Sequence, residues 1–234
     1  RLSNFTIQNT NSDGIDIKDY NLNNECVFIT NYTATNISIV QTNDVALDIR
    51  GEVCVNGMVV NATTPSRGIR TRLSGVQGRA GFGVANNIIF NGNGEIDTVA
   101  VQLEAQEGGM VFSNVSTRDC GLSVLQSLSS VGGTINNISA TGTLADGLSI
   151  GGTDLLINGY TAKNTVGSLR LCDVEVSSVN FSLRNFHIEE TTASVVGIRV
   201  QGGAVNSNFS DGTMRGGLIA DGGTATIENN IRLL

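Results

Sequence analysis

The chain has 234 residues, of which 29 are Gly and 26 Asn, with one Pro, no Trp and 15% charged residues. Gly and Asn both disfavour helix interiors, which excludes a helical bundle, and a single Pro without a G-X-Y period excludes collagen. A hydrophobic content of 40% supports a core and opposes disorder, while the net charge of -7 opposes a nucleic-acid surface, which needs clustered Lys and Arg.

Taken in chain order, one pattern recurs: an apolar-x-apolar pair, usually after a small residue. It begins as Gly14-Ile15-Asp16-Ile17 and continues through Ala46-Leu47-Asp48-Ile49, Gly68-Ile69-Arg70-Thr71 and Val99-Ala100-Val101. Gly121-Leu122-Ser123-Val124, Gly147-Leu148-Ser149-Ile150, Leu169-Arg170-Leu171, Gly197-Ile198-Arg199-Val200 and Gly217-Leu218-Ile219 come next. The first apolar members stand 20 to 32 residues apart. A second strand precedes most pairs: Phe5-Thr6-Ile7, Ile37-Ser38-Ile39, Met58-Val59-Val60, Ile88-Ile89-Phe90, Val111-Phe112 and Leu155-Leu156-Ile157.

Strict alternation turns one set of side chains inward. No unit is long enough to fold alone, so neighbours must stack. A floor near 20 residues fits coils of minimum circumference whose turns lengthen outward. The expected fold is all-β: a single-stranded right-handed parallel β-helix (solenoid) of about nine coils, with neighbouring strands about 4.8 Å apart. Residues 1–234 read as one such domain. Both ends, Arg1-Leu2-Ser3 and Ile231-Arg232-Leu233-Leu234, read as cuts through a continuing pattern in a longer protein. No long uninterrupted apolar run occurs, so no membrane span is expected.

Asn suits the coil corners, because it tolerates left-handed backbone and its amide can bond a like residue one coil away. N-x-S/T sequons stand at Asn4, Asn31, Asn36, Asn61, Asn114, Asn137, Asn180 and Asn208. They read as parts of such ladders, with glycosylation in a eukaryotic secretory source as the alternative. Cys26, Cys54, Cys120 and Cys172 form no C-x-x-C, so a zinc or redox motif has no support. Their apolar neighbours point to buried free thiols, with one or two disulfides as the alternative. The only histidine, His187, lies in Phe186-His187-Ile188-Glu189-Glu190. A solvent-facing strand position is expected there, in preference to a metal or acid/base site. No metal and no cofactor are expected.

Residues between the two apolar members point away from the core. On successive coils these are Asp16, Asp48, Arg70, Ala100, Ser123, Ser149, Arg170, Arg199 and Ile219. Asp13 and Asp44 lie in the turns before the first two, and Arg72 shares the face of Arg70, two residues earlier. Carboxylates and guanidinium groups therefore converge on the first three coils. That chemistry suits glycan work: one acid protonates a leaving oxygen, another activates water, and arginine holds a sugar carboxylate bidentately. Asp13 and Asp44 are the catalytic candidates, and Asp16, Asp48, Arg70 and Arg72 the substrate-binding ones. The alternative is a solvated polar face tied by an Asp–Arg network.

Residues 5 to about 105 resemble the catalytic coils of polygalacturonase-type glycoside hydrolases, which are pectin-lyase-like right-handed β-helices. Asn11-Ser12-Asp13-Gly14-Ile15-Asp16 is similar to their N-T-D-G-I/F-D segment, whose Asp is catalytic. Asn43-Asp44 before Ala46-Leu47-Asp48-Ile49 resembles G-D-D-C-I-A-I, with Asn43 in place of the first Asp. Gly68-Ile69-Arg70-Thr71-Arg72 resembles G-V-R-I-K, whose two cations bind substrate, and Gly75 to Asn91 resembles the family's segment C-terminal to that motif. The G-H-G coil of the family is missing, since no histidine lies between Asp48 and Arg70, and Arg72 replaces the Lys. Phage tailspikes share the pattern. The resemblance implies a polysaccharide partner and glycoside hydrolase activity, outside a cell, on its surface or on a virion. The alternative is a non-catalytic structural or adhesive rod, such as a tailspike shaft, assembled as a homotrimer or larger, with Ile219 and Leu233 as exposed contact candidates.

Overall fold

Alternating apolar and polar residues favour strands, and Gly- and Asn-rich turns break them before they lengthen. The computed structural model describes residues 2–10, 12–18, 32–42, 44–50, 52–62, 66–72, 82–95, 97–104, 110–128, 131–143, 146–163, 170–189, 196–215 and 218–234. In chain order the first strands are β1 (Leu2–Thr10), β2 (Ile15–Lys18), β3 (Tyr32–Thr42), β4 (Val45–Arg50), β5 (Glu52–Asn61) and β6 (Arg67–Thr71). Next come β7 (Phe82–Asn91), β8 (Val99–Leu103), β9 (Met110–Arg118), β10 (Ser123–Ser127), β11 (Thr134–Thr141), β12 (Asp146–Ile150) and β13 (Leu156–Lys163). The last are β14 (Arg170–Val174), β15 (Ser182–Glu189), β16 (Val196–Val200), β17 (Asn208–Arg215), β18 (Leu218–Asp221) and β19 (Ile227–Leu233).

The odd-numbered strands form one sheet of ten strands and the even-numbered strands a second of nine, both in sequence order. Neighbours pair in parallel, as β1 does with β3 and β2 with β4. Each coil thus gives one strand to each sheet, and the molecule is a right-handed parallel β-solenoid, the expected class. Among the described residues there is no helix, hence none long and apolar enough to cross a membrane.

The core is a column built by register. In the first sheet Met58, Ile88, Val115, Ile138, Tyr160 and Phe186 stack one above another. In the second, Leu47, Ile69, Val101, Leu125, Leu148, Cys172 and Ile198 do the same. All are buried in one cluster. Burying a large apolar side chain contributes roughly 1.5–3 kcal/mol, and stacking repeats that gain at every coil.

The glycine before several of the apolar pairs has a packing cause. A Cβ on Gly68 would overlap the Ala100 carbonyl oxygen of the next coil and sit 2.7 Å from Phe90 Cδ2, and one on Gly14 would sit 2.7 Å from the Ala46 carbonyl oxygen and 3.2 Å from Ile39 Cγ2. Gly68→Ala is expected to cost about 1–3 kcal/mol in chemical denaturation, because the added methyl must shift the Ala100 backbone carbonyl and the Phe90 ring. A wild-type midpoint would show that the position has spare room.

The strands of the first sheet bend at one residue with left-handed backbone, among them Asn87, Asn114, Asn137 and Asn185. These residues drop out of the pairing ladder, so each strand turns there. Their amides form the expected ladder: Asn87 donates to Asn56 at 2.8 Å, Asn114 to Asn87 and Asn137 to Asn114 at 3.1 Å. Two of the sequons, at Asn114 and Asn137, therefore belong to corner ladders, as does Asn180, which donates to Asp154 at 2.7 Å.

Several expectations are corrected. Val101, not Val99, aligns with Ile69, so the outward residue of that coil is Gln102 and Ala100 is buried. Likewise Gln126 takes the place read for Ser123, Asp173 that of Arg170, and Ala220 that of Ile219. The physical reason is that residues at the start of these strands also pack away from solvent, so an apolar-x-apolar match fits two frames. Ile219 packs against the core instead of standing exposed, whereas Leu233 is exposed. Cys120 and Cys172 are buried thiols, and burial pushes the Cys120 thiol up to about 12. Cys54 is free but exposed, because it points outward between the buried Val53 and Val55. Cys26, Asn31, Leu169 and Gly217 lie outside the described residues.

Candidate functional site

β2, β4 and β6 are neighbours in the second sheet, so alternation stacks Asp16, Asp48 and Arg70 at one outward position on three coils. Arg50 and Arg72 stand two residues beyond Asp48 and Arg70 and return to the same face. Asp13 and Asp44 stand in the turns before β2 and β4. All six residues picked out from the sequence meet in one cluster, joined by Arg50 and Arg67. Arg50 was not foreseen, although Asp48-Ile49-Arg50 carries the same i, i+2 signal as Arg70-Thr71-Arg72. Asn43 lies outside the described residues.

Asp48 is the centre of the cluster and has no exposed surface. Its Oδ2 accepts hydrogen bonds from Arg50 Nη2 at 2.6 Å, Arg70 Nη2 at 3.1 Å, and Arg72 Nε at 2.9 Å and Nη2 at 2.5 Å. Burial pushes the Asp48 carboxyl up, but hydrogen bonds from Arg72, Arg70 and Arg50 outweigh that and hold it below its ordinary value. Burial also works against the charge on Arg72, and the bond to Asp48 more than restores it. Asp48 can therefore act on a ligand only through the arginines it holds, and Arg72 is the most open of the three, 31% exposed.

Arg70 stands between the two catalytic candidates. Its Nη2 is 4.0 Å from Asp13 Oδ1 and its Nη1 is 3.7 Å from Asp44 Oδ1. Two carboxylates flanking one guanidinium are at most about 10 Å apart, which admits the carboxylate separations of glycoside hydrolysis. Arg67 adds a second cation 3.9 Å from Asp44, and Asp16 lies 3.3 Å from Arg50.

The environments of the pair differ. The Asp44 side chain is 44% exposed and that of Asp13 only 12%. Asp13 Oδ1 is buried and accepts no hydrogen bond from the described residues. Burial, then the charges of Asp48, Asp44 and Asp16, raise the Asp13 carboxyl above its ordinary value, and Arg70 offsets only part of this. A shielded carboxyl that holds its proton more tightly than usual, beside a more open carboxyl, is the division of labour that acid and base catalysis uses.

Asp13, Asp16 and Asp48 also offer oxygens within 4.8 Å of one another, a spacing that a cation can bridge. The three guanidinium groups on Asp48 already supply that counter-charge. His187 is on β15 of the other sheet, half-exposed, with Nε2 4.0 Å from Glu189. It takes no part in this cluster. No family model matches the chain, and no curated protein matches its sequence.

Proposed function

We propose that the outer face of the second sheet recognises an anionic polysaccharide and that Asp13 and Asp44 hydrolyse it. The observation that carries this reading is the shielded Asp13 and open Asp44 on either side of Arg70. Asp13, protonated, gives its proton to the leaving glycosidic oxygen. Asp44 takes a proton from the attacking water, whose oxygen bonds to the anomeric carbon as the glycosidic bond breaks. Arg70 and Arg72, fixed by Asp48, hold the acidic group of the sugar. The similarity of the segments around Asp13 and Arg70 to polygalacturonase motifs supports the same assignment. Such a protein works where polysaccharides are met: outside a cell, on its surface or on a virion.

The test is incubation with carboxylated, sulfated and neutral polysaccharides, then measurement of new reducing ends. Wild type is expected to release them from an anionic polymer, and Asp44→Asn to be slower by about a hundredfold or more. Wild type that releases none from any polymer rules out hydrolysis.

A second reading is a non-catalytic structural or adhesive rod. It is favoured by the way Asp48 satisfies arginines from two coils at once, which is what a lock between coils would do. It predicts no release from any polymer, with stability still dependent on Asp48.

A further inference from the structure

The Asp48 arrangement occurs twice on one face. Asp173 in β14 holds the same outward register position as Asp48, reached through Arg70, Gln102, Gln126 and Ser149 on the coils between. Arg199, one coil beyond Asp173, stands where Arg70 stands relative to Asp48, and Gln201 stands to Arg199 as Arg72 stands to Arg70. The buried Asp173 accepts from Arg199 Nε at 2.8 Å and Nη2 at 2.5 Å, from Arg170 Nη1 at 2.6 Å, and from Gln201 Nε2 at 3.1 and 3.2 Å. Arg199 is 34% exposed, close to the exposure of Arg72. Both arginines are thus pinned through the same Nε and Nη2 edge by a buried carboxylate, with a third of the side chain in solvent. A guanidinium fixed in this way has little rotamer freedom left to lose when an anion binds. Between the two clusters the central column of the described residues is uncharged, with Gln102 donating to Gln126 at 2.8 Å, while Glu104, beside Arg72, and Glu175, which accepts from Ser149, stand in the neighbouring column.

We propose that Arg199, with Arg170 and Gln201, forms a second anion subsite, so that the ligand is a chain carrying repeated anionic groups that lies along the solenoid axis and reaches both clusters. This rests on the reading of the face as an anionic-glycan surface and adds a site and a minimum length to it. Arg72 and Arg199 are five coils apart, about 24 Å along the axis at about 4.8 Å per coil. Only a chain of several sugars spans that distance; a short oligosaccharide engages one cluster at a time, and the Asp48 cluster, with three arginines against two, holds it more tightly.

The test uses the full chain and two length series, carboxylated and sulfated oligosaccharides, with binding measured by calorimetry. Wild type is expected to gain about tenfold in affinity once the chain exceeds about 24 Å. Arg199→Ala removes that gain and leaves short-chain affinity unchanged, while Arg72→Ala weakens short chains. Gln201→Arg, which makes the second cluster match the first, increases the gain. The series that shows the gain identifies the anion as carboxylate or sulfate. Wild-type affinity of Arg199→Ala for long chains overturns the second subsite and leaves the first-cluster reading standing. Should Arg199→Ala fail to fold, an unchanged gain in Gln201→Arg overturns it instead. Loss of the gain in Arg199→Ala beside wild-type short-chain binding in Arg72→Ala overturns the first cluster and keeps the second. Binding of no chain in either series overturns both.

Discussion

Asp48→Asn is expected to lose about 3 kcal/mol of stability, the scale of breaking a buried ion pair by removing one partner. The amide keeps the shape but removes the charge that Arg50, Arg70 and Arg72 share. Two of those arginines are nearly as buried as Asp48 itself, so their charges would be left facing one another away from water. Contacts in a solenoid run between neighbouring coils, so the loss should be local. Hydrogen exchange should speed up in β2, β4 and β6 before the later coils. The pH dependence has a definite sign. The folded carboxyls of Asp48 and Asp173 are held below their ordinary values, in each case against the opposing effect of burial, by bonds from arginines, joined at Asp173 by Gln201. Their contribution is complete above the unfolded value of about 4 and is lost as pH falls through the lower folded values. Asp48→Asn should lose less stability on acidification than wild type and keep the share owed to Asp173. Unchanged exchange in β4 and β6 would show that the arginines find other counter-charges.

Asp13→Asn is expected to reduce hydrolysis by about a thousandfold while leaving stability at neutral pH equal to wild type or higher. The sign comes from the opposite shift. Burial and the nearby carboxylates raise the folded Asp13 carboxyl, so its ionised form opposes folding above that raised value. That penalty shrinks as pH falls below the folded value, is gone below the unfolded value of about 4, and is absent in the amide. In wild type the rate should fall as pH rises through the same group, because the proton destined for the leaving oxygen is lost. A pH–rate profile of kcat/KM, with thermal unfolding of the variant alongside, reads both effects. Full activity in Asp13→Asn would remove it from the chemistry. Lost activity with lost stability would make its role structural.

Much of the fold is legible along the chain because its rules are local. The period-2 pairs, the floor on coil length and the Asn corners each derive from backbone geometry within one coil. Asp16, Asp48, Arg70 and Arg72 were found because i, i+2 spacing states which face a residue takes. The same rule reaches Arg50. It failed at Gln102, Gln126 and Asp173, because Val99-Ala100-Val101 and Leu169-Arg170-Leu171 match the pattern in a frame that stacking rejects.

By itself the sequence determined a parallel solenoid, its Gly and Asn corners, and an Asp–Arg concentration on the first three coils. Only the tertiary structure decided how deep each of those residues lies and what it touches. Spacing assigns a face, whereas burial and partners depend on what the adjacent coils place above and below. Asp13 and Asp44 are turn aspartates and Asp48 is a strand one, which by spacing alone all share one face. Stacking makes one a shielded acid, one an open carboxylate and one a buried anchor for three arginines. It also brings Asp173 into line with Asp48 from a segment 125 residues later, a correspondence that variable turn lengths conceal along the chain.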